Sequence, residues 1–251
     1  MARSRRSRDH TSRLISRDEA FRVLRSNLLV AISDLSNPIV LVTSANPGEG
    51  KTSTCVTLAQ SLAAAGPRVV LVDLDFRHPD ANRRLGAHNE AGCADVLLDR
   101  KPVEECLQYV PPPAGGPAST GLYFLAAGTG IANPAELLGT PRTGRLLDSL
   151  AQQADIVLID TPPVLPVADT LVIGRLAAGA MLVVEARRTP VPTVLKAKDA
   201  LIRNQTRLLG VVLNKQQERD SLFGYGYGYG YGAEAGDGRD ERPASANGDA
   251  A

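Results

Sequence analysis

The run Ser44-Ala45-Asn46-Pro47-Gly48-Glu49-Gly50-Lys51-Thr52 places two glycines, a lysine and a hydroxyl in the order that suits a polyphosphate. Gly48 and Gly50 leave backbone N–H groups free to wrap phosphate oxygens, Lys51 reaches the terminal phosphates, and Thr52 offers its hydroxyl to magnesium. Pro47, Glu49 and Ser53 complete the stretch expected to touch the nucleotide. Ala45 stands where the usual pattern has its first glycine, and the flanking strand and helix restore the context. Acidic residues follow in two further runs. In Val69-Val70-Leu71-Val72-Asp73-Leu74-Asp75-Phe76-Arg77 a buried strand ends in two carboxylates, and strand alternation sends Asp73 and Asp75 to the same side. In Ile156-Val157-Leu158-Ile159-Asp160-Thr161-Pro162-Pro163 one acid is delivered the same way. Magnesium takes hard oxygen ligands and keeps several waters, so Thr52 with one or two of these carboxylates is enough. A single Asp at a strand end is a common turn residue, whereas three such elements in this order make coincidence improbable.

The elements that must hold these residues alternate along the chain. A helix is expected from Arg17 to Ile32, where Ala20, Val23, Leu24, Leu28 and Leu29 recur at helical spacing. Strands are expected at 39–43, 68–73, 122–126, 156–160, 180–185 and 208–214. Helices are expected from Lys51 to about Ala65, in short pieces over 79–98, opening at Asn133-Pro134, and over 167–175 and 194–203. Pro111-Pro112-Pro113 and Gly115-Gly116-Pro117 mark a surface loop. The pattern is α/β, P-loop NTPase-like, with a mostly parallel sheet carrying helices on both faces. Ligands in such sheets bind at the carboxyl ends of the strands.

With 251 residues, 43% of them apolar, the chain can bury one core of this kind. The expected organisation is a disordered basic N-terminus over 1–16, a nucleotide-binding domain over 17–223, and a flexible Gly/Tyr tail over 224–251. A formal charge of +1 gives no general attraction to nucleic acid or anionic membrane. The N-terminal arginines alone would give only salt-sensitive contact, so no sequence-specific nucleic acid is expected. Cys55, Cys93 and Cys106 are widely spaced and form no Cys-x-x-Cys pair, which fits a reducing cytoplasm and disfavours an iron-sulfur cluster. The apolar runs are too short for a transmembrane segment.

The tail Gly224-Tyr225-Gly226-Tyr227-Gly228-Tyr229-Gly230-Tyr231-Gly232 holds four of the six tyrosines. Alternating glycine weakens a strand and supplies no packing on its second face, so flexibility is the better reading. Beside a phosphoryl-transfer site, phenols on a mobile tether look like substrates. Left to itself, the same composition also fits a self-associating linker.

Over about residues 17–232 the sequence resembles the bacterial tyrosine kinase family. Ser44 to Thr52 resembles its Walker A loop, Leu71 to Arg77 its Walker A-prime and Val157 to Pro163 its Walker B. The resemblance implies an ATP- and Mg2+-dependent protein-tyrosine kinase that modifies Tyr225, Tyr227, Tyr229 and Tyr231. It implies catalytic roles for Lys51, Asp73, Asp75 and Asp160, with Thr52, Asp75 and Asp160 on the metal, Asp73 receiving the phenol proton and Asn214 near the adenine. Glu19, Arg22 and Arg25 resemble an E-x-x-R-x-x-R motif used in ring assembly, and their spacing puts them on one broad helix face. The resemblance further suggests a membrane adaptor of the polysaccharide copolymerase type and recruitment to the inner face of the plasma membrane. A role in capsular or extracellular polysaccharide synthesis or export follows by analogy alone. Two alternatives stand beside it. A partition or septum-positioning ATPase would carry an extra lysine where Asn46 lies, and a noncatalytic nucleotide-binding interaction module would not require Lys51, Thr52, Asp73 and Asp75 to be intact.

Overall fold

In the computed structural model the described residues are 2–35, 38–112 and 121–216, with only the backbone described up to residue 16. Residues through Gln216 form one compact unit. The second unit, Gln217–Ala251, lies outside the described residues and takes Tyr225, Tyr227, Tyr229 and Tyr231 with it.

The strands are β1 (Ile39–Ser44), β2 (Val69–Asp73), β3 (Leu107–Val110), β4 (Leu122–Leu125), β5 (Ile156–Asp160), β6 (Gly179–Glu185) and β7 (Leu208–Asn214). They form one sheet in the order β3-β4-β2-β5-β1-β6-β7. Every neighbouring pair is parallel except β3 with β4. All residues of β1, β2 and β5 are buried, which is why these strands read as unbroken Val/Ile/Leu runs rather than alternating ones.

Helices cover both faces. On one lie α1 (Ala2–Ile32), α2 (Lys51–Ala63) and α3 (Ala81–Leu85), with Leu28, Leu58, Leu62, Leu71 and Phe124 in the shared core. On the other lie α4 (Cys93–Leu97), α5 (Val103–Cys106), α6 (Pro134–Leu138), α7 (Pro141–Gln153), α8 (Asp169–Gly174) and α9 (Val191–Arg203). Leu97, Leu147, Leu150, Ile173 and Leu201 fill that second core.

Several elements differ from the sequence expectations, the short α5 and β3 being among those not expected at all. The first helix reaches back to Ala2 rather than starting at Arg17, because no glycine or proline interrupts residues 2–32. The helix opening at Pro134 is two helices, since Gly139 closes α6 and Pro141 starts α7. Strand β3 was hidden in a short run before Pro111. It pairs antiparallel at the sheet edge, where Tyr109 meets Tyr123 edge to face with centroids 5.7 Å apart.

Candidate nucleotide and metal site

The carboxyl ends of β1, β2 and β5 are adjacent in the sheet, so its order alone brings the three sequence runs together. From β1 the chain turns through residues 45–50 into α2. Gly48 at φ 83° and Gly50 at φ 94° occupy the left-handed region, where a side chain would be strained. At Gly50 a Cβ would also collide with the Asn214 amide.

The loop is held from several sides. Asn214 Nδ2 donates to the Glu49 carbonyl at 2.9 Å. Lys215 Nζ donates to the Gly48 carbonyl at 2.7 Å and pairs with Glu185 Oε2 at 2.9 Å. The Glu49 carboxylate is buried, accepting from Asn46 N at 3.0 Å and from Thr189 Oγ1 at 2.6 Å. Glu49 therefore belongs to the loop's scaffold, and its side chain is turned away from phosphate duty. Lys215, Thr189 and Glu185 have no motif to announce them, and contact with the loop is what marks them out. A cleft of about 330 Å³ runs beside the loop, lined by residues 46–49 with Glu185, Arg188 and Thr189.

Beneath the loop, Lys51 Nζ lies 2.7 Å from Asp75 Oδ2 and 3.6 Å from Asp160 Oδ1. Thr52 Oγ1 is 3.1 Å from the same ammonium. Burial works against the charge on Lys51, but Asp160 and Asp75 outweigh it and leave its pKa raised. Both oxygens of Asp160 are buried without a hydrogen-bond partner. Burial is the main cause that pushes its pKa up to about 6. Asp73 is pushed well above the usual carboxylate range, by burial first and Asp160 next. Its Oδ1 accepts from Asp75 N at 3.0 Å and its Oδ2 from Ala81 N at 3.4 Å.

These features fit a hydrated divalent cation. An orphaned buried carboxylate, a second acid and a threonine hydroxyl converge on one point, and magnesium needs few protein ligands because it keeps its waters. Among the described residues no three His, Cys, Asp or Glu side chains form a ready-made metal cage.

Not every expected residue gathers here. Glu19 and Arg22 are exposed and pair at 3.3 Å, whereas Arg25 Nη1 donates to the Ser61 carbonyl at 2.8 Å on α2. Steps of three residues rotate by about 60° around a helix, so the triplet spreads over about 120° and its last member meets the buried stripe of Phe21, Leu24 and Leu28. Arg25 is thus part of the α1–α2 contact. No described helix is long and apolar enough to cross a membrane.

Residues 38–189 match the model of a family described as an AAA domain. Tyrosine-protein kinase YwqD of Bacillus subtilis (strain 168) is 35% identical over 208 residues, which cover 82% of this chain and 85% of that protein. The chain belongs to the bacterial tyrosine-protein kinase family. A second relative, the putative tyrosine-protein kinase AmsA of Erwinia amylovora, is 36% identical over 196 residues, 78% of this chain. Here the kinase-family chain spans only 26% of the longer relative. Among solved structures, the kinase domain of Escherichia coli tyrosine kinase ETK superposes with a TM-score of 0.72 at 28% identity, covering 84% of this chain and 80% of that one. The mostly parallel seven-stranded sheet with its flanking helices is the fold this chain shares with that kinase domain.

Proposed function

We propose that this chain transfers the terminal phosphate of magnesium-bound ATP to tyrosine hydroxyls, those of Tyr225, Tyr227, Tyr229 and Tyr231 first among them. The observation that carries this reading is the Lys51–Asp75–Asp160 cluster under a glycine loop, with Asp160 buried, paired with Lys51 at 3.6 Å and its oxygens free of hydrogen bonds. Thr52, Asp75 and Asp160 would hold Mg2+, which when bound neutralises charge on the phosphates. Backbone N–H groups of residues 48–53 cradle the phosphates at the head of α2, with Pro47 shaping the loop before them. Lys51 releases Asp75 and turns to the transferring group, where its ammonium offsets developing negative charge. A phenol with a pKa of about 10 is a weak nucleophile at neutral pH and benefits from a carboxylate that takes its proton. Asp73 fills that role in this reading, in its ionised form; burial first and Asp160 next push its pKa above the usual carboxylate range. Asn214, anchored on Glu49, lies at the end of the strand expected to border the adenine.

The reading extends to assembly and location by resemblance. Glu19 and Arg22, exposed on α1, support a self-assembled ring in which the tail of one copy reaches the site of the next. A membrane adaptor of the polysaccharide copolymerase type would bring this cytoplasmic kinase to the inner face of the plasma membrane, where it would regulate polysaccharide synthesis or export. Asn46, in place of the extra lysine of partition and septum-positioning ATPases, favours the kinase over that alternative.

Incubation with Mg2+ and ATP followed by mass spectrometry of residues 217–251 tests the proposal. Phosphate on the tail tyrosines of the native chain is expected, with none on Lys51→Met. Equal modification of both chains overturns the assignment.

A further inference from the structure

The ladder between β2 and β5 ends at the pair Asp73 and Asp160, with one more bond from Leu74 N to the Asp160 carbonyl at 2.9 Å. Beyond it the two acid-bearing loops separate. The β5 loop is tied to β1 through Thr161 N to the Val42 carbonyl and Val164 N to the Ser44 carbonyl. The loop that carries Asp75 is mostly tied to itself: Asp75 N to Asp73 and His78 N to Asp75. Its anchor on the far side is Arg77, whose Nε and Nη2 donate to Asp169 Oδ2 and Oδ1 at 2.8 and 3.0 Å.

Asp169 is fully buried at the head of α8, so its partner is fixed in place rather than free to follow the arginine. The next residue, Thr170, donates from Oγ1 to the Pro162 carbonyl at 2.6 Å, and Thr43 Oγ1 donates to the same carbonyl at 2.8 Å. Two successive residues of α8 thus grip both loops, Asp169 the one bearing Asp75 and Thr170 the one following Asp160.

We propose that Arg77 is a positioning residue for the divalent cation, holding Asp75 at a set distance from Asp160 through its two-pronged pair with Asp169. The inference rests on Asp75 and Asp160 being the cation's ligands. A fork of two parallel hydrogen bonds fixes orientation as well as distance, which a lysine cannot reproduce. Magnesium tolerates little departure from its octahedral spacing, so a loosened Asp75 weakens the cation while leaving the glycine loop's grip on phosphate untouched.

The test is calorimetric titration of Mg2+ into the protein saturated with ADP, alongside ADP binding in excess chelator. Removing Arg77 alone would strand a buried carboxylate and risk unfolding. Arg77→Lys therefore keeps the charge and loses the fork, and the double variant Arg77→Gln with Asp169→Asn keeps a hydrogen-bonded pair without charge. Both are expected to melt cooperatively, to bind ADP unchanged in chelator, and to bind Mg2+ about tenfold more weakly, as loss of a residue supporting a metal ligand typically does. Asp75→Asn and Asp160→Asn serve as references. If these two lose Mg2+ affinity while both Arg77 variants keep it, the positioning role is overturned. Should Asp75→Asn and Asp160→Asn also bind Mg2+ normally, the ligand assignment itself fails.

Discussion

Lys51 Nζ and Asp75 Oδ2 lie 2.7 Å apart with 11% and 2% of their side chains exposed, so the lysine proposed to bind phosphate and an acid proposed to bind the metal are tied to each other. Nucleotide must exchange this pair for two others, lysine to phosphate and carboxylate to metal. Lys51→Met therefore acts twice, removing the cation that steadies transfer and leaving Asp75 and Asp160 as neighbouring buried acids. Tail phosphorylation is expected to fall by at least about 100-fold, the cost typical of one preorganised electrostatic contact. Phosphate incorporation per minute on purified native and variant chains measures it.

Asp160 gives the site a pH dependence whose sign follows from its burial. Its folded pKa, about 6, stands above the value of about 4 for a free aspartate. Between these values the folded chain binds more protons than the unfolded one, so this group's contribution to stability falls as pH rises through that window. Magnesium needs the ionised form, so metal-dependent nucleotide binding strengthens as pH rises past about 6. Thermal melts without nucleotide should show Asp160→Asn gaining on the native chain from pH 4 to pH 7, while Mg2+ no longer adds to its melting temperature. A native chain whose Mg2+-dependent stabilisation is flat from pH 5 to pH 8 would refute the assignment.

Gly50 and Gly66 make a matched pair, both with positive φ, at 94° and 116°. A Cβ at Gly66 meets nothing within 4 Å, whereas one at Gly50 meets Asn214. Gly66→Ala is expected to lower stability by about 1–3 kcal/mol of backbone strain and keep nucleotide binding. Gly50→Ala carries the same strain and also displaces Asn214 from the Glu49 carbonyl, so nucleotide binding is lost. Denaturant melts and ADP titration of the two variants separate the effects.

The sheet and the clustering of acids at its strand ends are legible because buried parallel strands announce themselves as continuous apolar runs. β1, β2 and β5 each end such a run in a polar residue at the site. What escaped was fixed by contact rather than period. β3 is a four-residue edge strand with one buried position and so carries almost no pattern. Asp169 lies 92 residues from Arg77, and Lys215 lies 167 from Gly48. Nothing local in either stretch marks it as support for the loops, because a fold-dependent partner leaves no spacing to read. Arg25 joins the two kinds: its spacing places it on the broad helix face of Glu19 and Arg22, and only the fold shows that it also donates to the Ser61 carbonyl of the neighbouring helix.

That division yields a test of the proposed ring. Arg22 is exposed and its pair with Glu19 is open to solvent, so reversing its charge costs the single chain little. Arg22→Glu should leave the melting temperature unchanged and abolish assembly, seen as a single-chain mass by light scattering. Arg25→Ala removes the hydrogen bond to the Ser61 carbonyl and loosens α1 from α2, at about 1 kcal/mol of stability. Its melting temperature should drop measurably, with any loss of assembly following from the displaced helix. If Arg22→Glu assembles like the native chain, the exposed face of α1 is not the ring contact.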